Sequence, residues 1–367
     1  QPSTATPLVS AMILVPLTLL VSAGSARPVW VVGTVHLVSL FVTGMVCHGE
    51  LNRLRPDAPR LSGFYLCVAA GGLFVGLLNA VIAPVLFPAL FEYPLTIAAA
   101  AMMMPGVSSN RKWNWQDLFW PLGMLIVSAG IFYGVRRYEW FGIGASLKPL
   151  LAIPAIICFL FSARSVRFSL GLAGVFVLGG LIGSETGRTV HTARSFLGIH
   201  RVNKDSDNVH LWLVHGVTVH GGRSLLPDEK NEPMAYYHRR GPAGQFMTDF
   251  VPRHPKAKAS VIGLGAGSLI AYTGTEWDWT FYELDPLVQK IAEDGRWFTF
   301  LKNAAAPYRV VLGDARRSMS RADSSEMYDL IVLDAFGSDA IPVHLLTREA
   351  LRLYLSRLKK GGVIAAH

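Results

Sequence analysis

The chain has 367 residues, of which 51% are hydrophobic and only 16% charged, a balance too apolar for one soluble domain of ordinary composition. Its formal net charge is +9, but the Lys and Arg are scattered and no basic stripe interleaved with aromatics occurs. Charges next to a membrane therefore explain the excess better than nucleic-acid binding does.

Gln1 is not a start residue and no charged stretch precedes the first apolar run, so no cleavable signal peptide is expected and the sequence reads as beginning inside a longer protein. Up to about Ser184 the apolar residues form long runs, whereas beyond Glu185 charges recur every few positions. That change marks a domain boundary. Runs at 8–25, 29–47, 64–87, 91–105, 118–134, 149–163 and 167–184 predict six or seven membrane spans, since a helix needs about 20 residues to cross the hydrocarbon core. The 91–105 run is short and follows Pro84, Pro88, Glu92, Tyr93 and Pro94, the pattern of a re-entrant or broken helix. With the C-terminal part in the cytoplasm, seven spans would put Arg53, Arg55, Arg60, Arg111 and Lys112 outside, against the positive-inside rule. Six crossings, with 91–105 not spanning, bring the first three inside beside Arg136, Arg137 and Lys148, and are preferred although Arg111, Lys112, Arg164 and Arg167 then lie outside.

Cys47-His48-Gly49-Glu50 ends one span and reads first as an interfacial turn; a substrate or proton site, or haem or quinone ligation by His36 or His48, are the other readings. Gly71, Gly72 and Gly76 predict close helix packing. The three cysteines, Cys47, Cys67 and Cys158, lie in apolar runs without metal or redox spacing, which predicts free buried thiols.

From about Ser195 to Arg240 short alternating runs, 209–214 and 216–220, separated by Gly and Asp/Asn turns, predict a hairpin or small sheet. His210, His215 and His220 recur every five residues, so neighbouring members should point to opposite faces of a continuous strand. No metal site is expected from them; His220 is a candidate pocket-lining residue.

The run Ser260-Val261-Ile262 enters a turn with glycines at 263, 265 and 267, where the backbone can lie against a ligand, and the residues that follow can form a helix. Twenty residues after Gly263 the strand Trp279-Thr280-Phe281-Tyr282-Glu283 ends in a carboxylate, the spacing at which an acid meets ribose hydroxyls. Two further predicted strands end in Asp314 and Asp334. In an open parallel sheet ligands bind beyond the carboxyl ends of the strands, so Glu283, Asp314 and Asp334 should converge on one crevice with the glycine turn. Each acid alone is as readily a helix cap or a solvated loop residue.

Tyr236-Tyr237-His238, Gly263 to Gly267, Tyr282-Glu283-Leu284-Asp285, Gly313-Asp314-Ala315 and Tyr328 to Asp334, in that order, resemble the spermidine synthases. The match is closer still to membrane-fused spermidine synthase-like proteins of bacteria, which have counterparts of Cys47-His48-Gly49-Glu50-Leu51 and of Asp334-Ala335-Phe336-Gly337-Ser338-Asp339-Ala340-Ile341-Pro342. The resemblance implies an α-helical transmembrane domain (1–186), a small β-rich domain (187–245), and an α/β Rossmann-like domain of methyltransferase type (246–367) that is incomplete at its C-terminus. It implies S-adenosylmethionine or its decarboxylated form as a substrate held by Gly263, Gly265, Gly267, Glu283, Asp314, Ala315, His238 and His220, without a metal. Glu283 would take the ribose, Asp314 the adenine amino group, and Tyr237 and His238 would belong to the donor pocket. Asp334, with Tyr237 and Asp339, would be catalytic, the carboxylate orienting an attacking amine and accepting its proton.

Two departures limit that carry-over. Ala266 stands where the family has an acid that grips the aminopropyl ammonium, which favours a donor that keeps its carboxylate, received by the backbone of the glycine turn and the helix after it. The next acid after Asp334, Asp339, follows five residues later rather than three, which leaves its role open. Gly361 to His367 reads as a fifth strand, of a sheet that in this fold has more.

The predicted protein is an inner-membrane enzyme with its nucleotide domain in the cytoplasm, acting beside the sulfonium carbon, its partners being the lipid bilayer and a small-molecule amine or other acceptor. It is expected as a homodimer or within a membrane protein complex. The alternatives are a non-catalytic membrane subunit that keeps the transferase fold for docking, and transport coupled to the nucleotide domain.

Overall fold

The structure is a computed structural model describing residues 5–23, 28–104, 114–138, 147–182, 187–216, 218–229, 231–336 and 341–367. Arg111, Lys112 and Asp339, all named from the sequence, lie outside the described residues. The chain forms two compact units, Gln1–Glu185 and Thr186–His367.

The first unit is helical: α1 (Ala5–Ala23), α2 (Val29–Arg53), α3 (Leu61–Leu77), α4 (Ala83–Leu86), α5 (Glu92–Met103), α6 (Gln116–Arg137), α7 (Ala152–Phe161) and α8 (Ser165–Ile182). Four stretches, Val29–Arg53, Ala58–Leu86, Gln116–Val135 and Ser165–Ile182, are long and apolar enough to cross a membrane. Among the described residues Val9–Ser22 and Lys148–Phe161 are shorter apolar stretches. The 12-residue α5 rises only about 18 Å against a hydrocarbon core of about 30 Å. A π turn over Leu78–Ile82 and a break between Leu86 and Glu92 interrupt the chain where the prolines predict it.

Close helix packing occurs on α8, not at Gly71, Gly72 and Gly76. A Cβ at Gly171 would lie 3.0 Å from the Cys158 sulfur, and one at Gly179 only 2.6 Å from Ser22, whereas Gly71, Gly72 and Gly76 have nothing within 4 Å because α3 buries none of its residues. The same bare faces leave Cys47 on α2 and Cys67 on α3 exposed, and only Cys158 is a buried thiol as predicted. Asp117, buried in the first turn of α6, accepts from Arg164 (2.9 Å) and Arg167 (3.0 Å) at the start of α8, so neither arginine is a bare flanking charge.

The second unit begins with an antiparallel sheet in sequence order, β1 (Arg188–Ser195), β2 (Gly198–Lys204), β3 (His210–His215) and β4 (Thr218–Ser224). After α9 (Pro242–Arg253) comes a parallel sheet of β5 (Ala257–Ile262), β6 (Trp277–Glu283), β7 (Tyr308–Leu312), β8 (Tyr328–Leu333) and β9 (Leu358–Ala366), in the order β7-β6-β5-β8-β9. Helices α10 (Pro286–Glu293), α11 (Ala315–Arg321) and α12 (Arg348–Ser356) connect the later strands. The interior strands β5, β6 and β8 are buried on both faces over most of their length, with Trp277, Trp279 and Phe281 stacked along one face. The strand order reverses between β5 and β8, which opens a crevice beyond their carboxyl ends. One expectation fails here: the glycine turn leads not into a helix but into a single 3₁₀ turn, Ser268–Tyr272.

Asp285 joins the two sheets. Its carboxylate caps α10 through the Leu287 amide (2.9 Å) and accepts the Ser195 hydroxyl at the end of β1 (2.5 Å), with the His200 Nε2 of β2 at 3.0 Å. Burial alone would raise the Asp285 pKa, but His200, Ser195 and the Leu287 amide outweigh it and hold the carboxyl below its ordinary value. A depressed folded value stabilises the protein above the unfolded carboxylate pKa, and that contribution is lost as pH falls through the folded value. Asp285→Ala should therefore cost about 3 kcal/mol near neutral pH, read as a lower melting temperature of the full chain in detergent. The gap to wild type should close in acid; a gap unchanged down to low pH would show that the bonds to Asp285 contribute nothing.

Candidate active site

A cavity of about 210 Å³ lies beyond the carboxyl ends of the parallel strands, walled on one side by the small sheet. The glycine turn forms its floor, and the conformations there explain the glycines. Gly263 has φ +104° and Gly265 φ +54°, the left-handed half of backbone space that L residues with a Cβ avoid. Space is equally restrictive: a Cβ on Gly263 would lie 2.3 Å from the Asp334 carbonyl oxygen, and one on Gly265 2.7 Å from that of His220. The turn is thus threaded between the end of β8 and the edge of β4.

Of the residues named from the sequence, Gly263, Gly265, Glu283, Asp314, Ala315, His220, Tyr237 and Asp334 line this one cavity. Gly267 and His238 do not: Gly267 packs against Leu301, and the His238 Nδ1 accepts from the Arg240 amide. Glu283 is almost fully buried, its two oxygens accepting the amides of Leu264 (3.0 Å) and Asp285 (2.9 Å). Burial raises its pKa, and those amides offset part of the rise. Burial likewise works to raise Asp314, but the Arg317 amide (2.7 Å) at the head of α11 and His344 (2.8 Å) hold it below its ordinary value.

Asp334 accepts the Tyr237 hydroxyl on one oxygen and faces the His367 Nδ1 at 3.0 Å on the other. Burial, and then the Asp334 charge, push the Tyr237 phenol well above its ordinary value, so it stays protonated and donates. Ala266 is fully buried with its Cβ toward Gly221 of β4, and it does not line the cavity. The missing acid is therefore matched by a missing space.

The small sheet adds a wall of imidazoles that the spacing argument misses. His215 and His220 are five residues apart, yet a hairpin separates them, with His215 opposite Thr218, so both face the cavity. His200, opposite His215 on β2, completes the row at ring separations of 4.6 and 5.8 Å. Burial lowers the His215 pKa, and His200 adds to that. Only the cross-strand register could have revealed this face. Tyr236, Tyr282, Phe336 and His344 also line the cavity. Among the described residues no three His, Cys, Asp or Glu side chains are grouped to hold a metal.

No family model matches the sequence. A stretch of 111 residues, 29% of the chain, is 40% identical to the polyamine aminopropyltransferase of Vibrio vulnificus. Over that stretch the chain is similar to a polyamine aminopropyltransferase. The match spans 36% of that relative's length. Among solved structures, the probable spermidine synthase of Corynebacterium glutamicum is 18% identical with a TM-score of 0.40, covering 48% of this chain and 62% of that one. The spermidine synthase of Thermotoga maritima is 17% identical with a TM-score of 0.37, covering 49% and 56%.

The crowding at the glycine turn gives a direct test. Gly263→Ala should cost about 1–3 kcal/mol from backbone strain alone, lowering the melting temperature of the full chain. An unchanged melting temperature would mean that the turn is not held against β8 as described.

Proposed function

We propose that this protein is a membrane-anchored transferase that takes S-adenosylmethionine or its decarboxylated form and moves a group beside the sulfonium to an amine acceptor, releasing a thioether nucleoside. The observation that carries this reading is the meeting of the glycine turn with Glu283, Asp314 and Asp334 in one cavity at the strand-order reversal. The similarity to a polyamine aminopropyltransferase supports the reaction class. In this reading Glu283 receives the ribose and braces the glycine turn, Asp314 receives the adenine amino group, and Tyr237, Asp334 and Asp339 serve the chemistry. The four long apolar helices support anchoring in a membrane; the inner membrane, with the nucleotide-binding unit in the cytoplasm, is the placement this reading assigns.

The sulfonium is already an activated leaving group, so positioning and charge placement supply most of the catalysis. Titration calorimetry should detect methylthioadenosine binding to the full chain, and Glu283→Gln should weaken it at least about tenfold, or about 1.4 kcal/mol. No binding of any sulfonium nucleoside or thioether product at millimolar concentration would overturn the reading and leave the docking-subunit alternative.

The donor is a finer question. With Ala266 turned into the protein, the turn itself supplies no acid to pair an aminopropyl ammonium, and an unpaired buried cation is costly. The short Ser268–Tyr272 turn offers no helix end for a carboxylate, so the preference rests on the missing acid alone. We expect S-adenosylmethionine to bind at least about tenfold more tightly than the decarboxylated donor, roughly 1.4 kcal/mol, in direct competition on the wild-type protein. The reverse order would mean that another cavity acid replaces the missing one.

A further inference from the structure

The acids of the cavity stand at or just past the ends of the parallel strands, whereas His200, His215 and His220 stand on β2, β3 and β4 of the small sheet. No Lys or Arg is among the described residues that line the cavity, so imidazoles are the side chains there that can carry positive charge. Two of them are committed to acids: His200 Nε2 lies 3.0 Å from Asp285, and His344 Nε2 lies 2.8 Å from Asp314. His215 is held differently. Among the described residues its ring meets other rings, those of His200 at 4.6 Å and His220 at 5.8 Å, and no carboxylate claims its nitrogens. Gly198 makes room for it: at φ +151° this glycine lies where a Cβ would collide with the His215 Nε2. The row of imidazoles starts at the glycine turn, since a Cβ on Gly265 would lie 2.7 Å from the His220 carbonyl oxygen.

Resting on the transferase reading above, we propose that His215 receives the carboxylate of the donor's amino-acid tail, which makes the imidazole wall the anion-binding end of the donor site. A donor whose nucleoside rests on the glycine turn has this row alongside, and for that reason the carboxylate is assigned to the donor and not to the acceptor. The chemistry suits a site that must also stand empty. A fixed cation there would be a half-buried charge without a partner, whereas a neutral imidazole has one N–H to offer and can take up a second proton when an anion arrives. The titratable and charged groups facing His215 are His200 and Arg201 from β2, His220 from β4 and Asp285 from the head of α10. Burial, and then His200, hold its pKa below the ordinary value, so near neutral pH the ring is uncharged. A bound carboxylate favours the protonated form, so binding takes up a proton and strengthens as pH falls from neutral toward the pKa of the empty site.

The test is titration calorimetry on the full chain in detergent, with S-adenosylmethionine, its decarboxylated form and methylthioadenosine as probes of wild type, His215→Phe and His215→Gln. His215→Phe should weaken S-adenosylmethionine by at least about tenfold, as loss of a hydrogen bond to a charged group does. It should leave the decarboxylated donor and methylthioadenosine unchanged, because neither has the carboxylate. His215→Gln keeps a side-chain N–H and should retain most of the S-adenosylmethionine affinity at neutral pH. In wild type the preference for S-adenosylmethionine over the decarboxylated donor should grow as pH falls below neutral, and in His215→Gln that growth should be lost. A His215→Phe protein that binds S-adenosylmethionine as wild type does, or that loses affinity for all three probes alike, overturns the proposal. Wild-type protein that binds methylthioadenosine but favours the decarboxylated donor also overturns it, with the nucleoside site left standing. Failure of wild type to bind methylthioadenosine at all overturns the transferase reading beneath it.

Discussion

The C-terminal unit depends on how closely its glycine turn approaches two other chain segments. Between β5 and the Ser268–Tyr272 turn the backbone runs past the carbonyl of Asp334 on one side and that of His220 on the other, with no space for a Cβ at Gly263 or Gly265. That approach brings the end of β8 and the edge of the small sheet to the same few ångströms of floor. The cavity exists because all three meet there, and Glu283 fixes the arrangement by accepting the Leu264 amide from inside the turn.

Polar side chains in the cavity carry two loads. Asp285 caps a helix and ties the small sheet to the parallel one; Asp314 caps α11 while holding His344; Asp334 holds Tyr237 and His367. Each carboxylate has protein partners, as the buried ones require, and each sits where the parallel strands point. Such anchoring holds side chains in place before a ligand arrives, so less ordering is left to the moment of binding. The row of His200, His215 and His220 gives the opposite wall a different chemistry, aromatic and weakly basic rather than acidic.

Much of this was legible in the sequence because it depends on local pattern. An apolar run that stops at an acid is a buried parallel strand reaching the sheet's rim, and three such runs after a glycine turn define the crevice. The fifth strand, read from the apolar run of Gly361 to His367, is β9 (Leu358–Ala366). What the sequence hid depends on register and packing. The facing of His215 and His220 follows from a hairpin and its pairing, and five-residue spacing along one strand predicts the opposite. Ala266 reads as a lost acid, yet only the contact with Gly221 shows that a side chain there has nowhere to go. In the helical unit the glycine pattern on α3 was as suggestive as that on α8, and neighbours alone decided which one packs.

The central claim is that one cavity, at the reversal of strand order, holds the nucleoside. The most direct measurement is a structure of the full chain with methylthioadenosine bound. Nucleoside density resting on Gly263 to Gly265, with its ribose at Glu283 and its base toward Asp314, is the predicted result. Density elsewhere on the chain, or a cavity left empty at saturating nucleoside, would contradict the account.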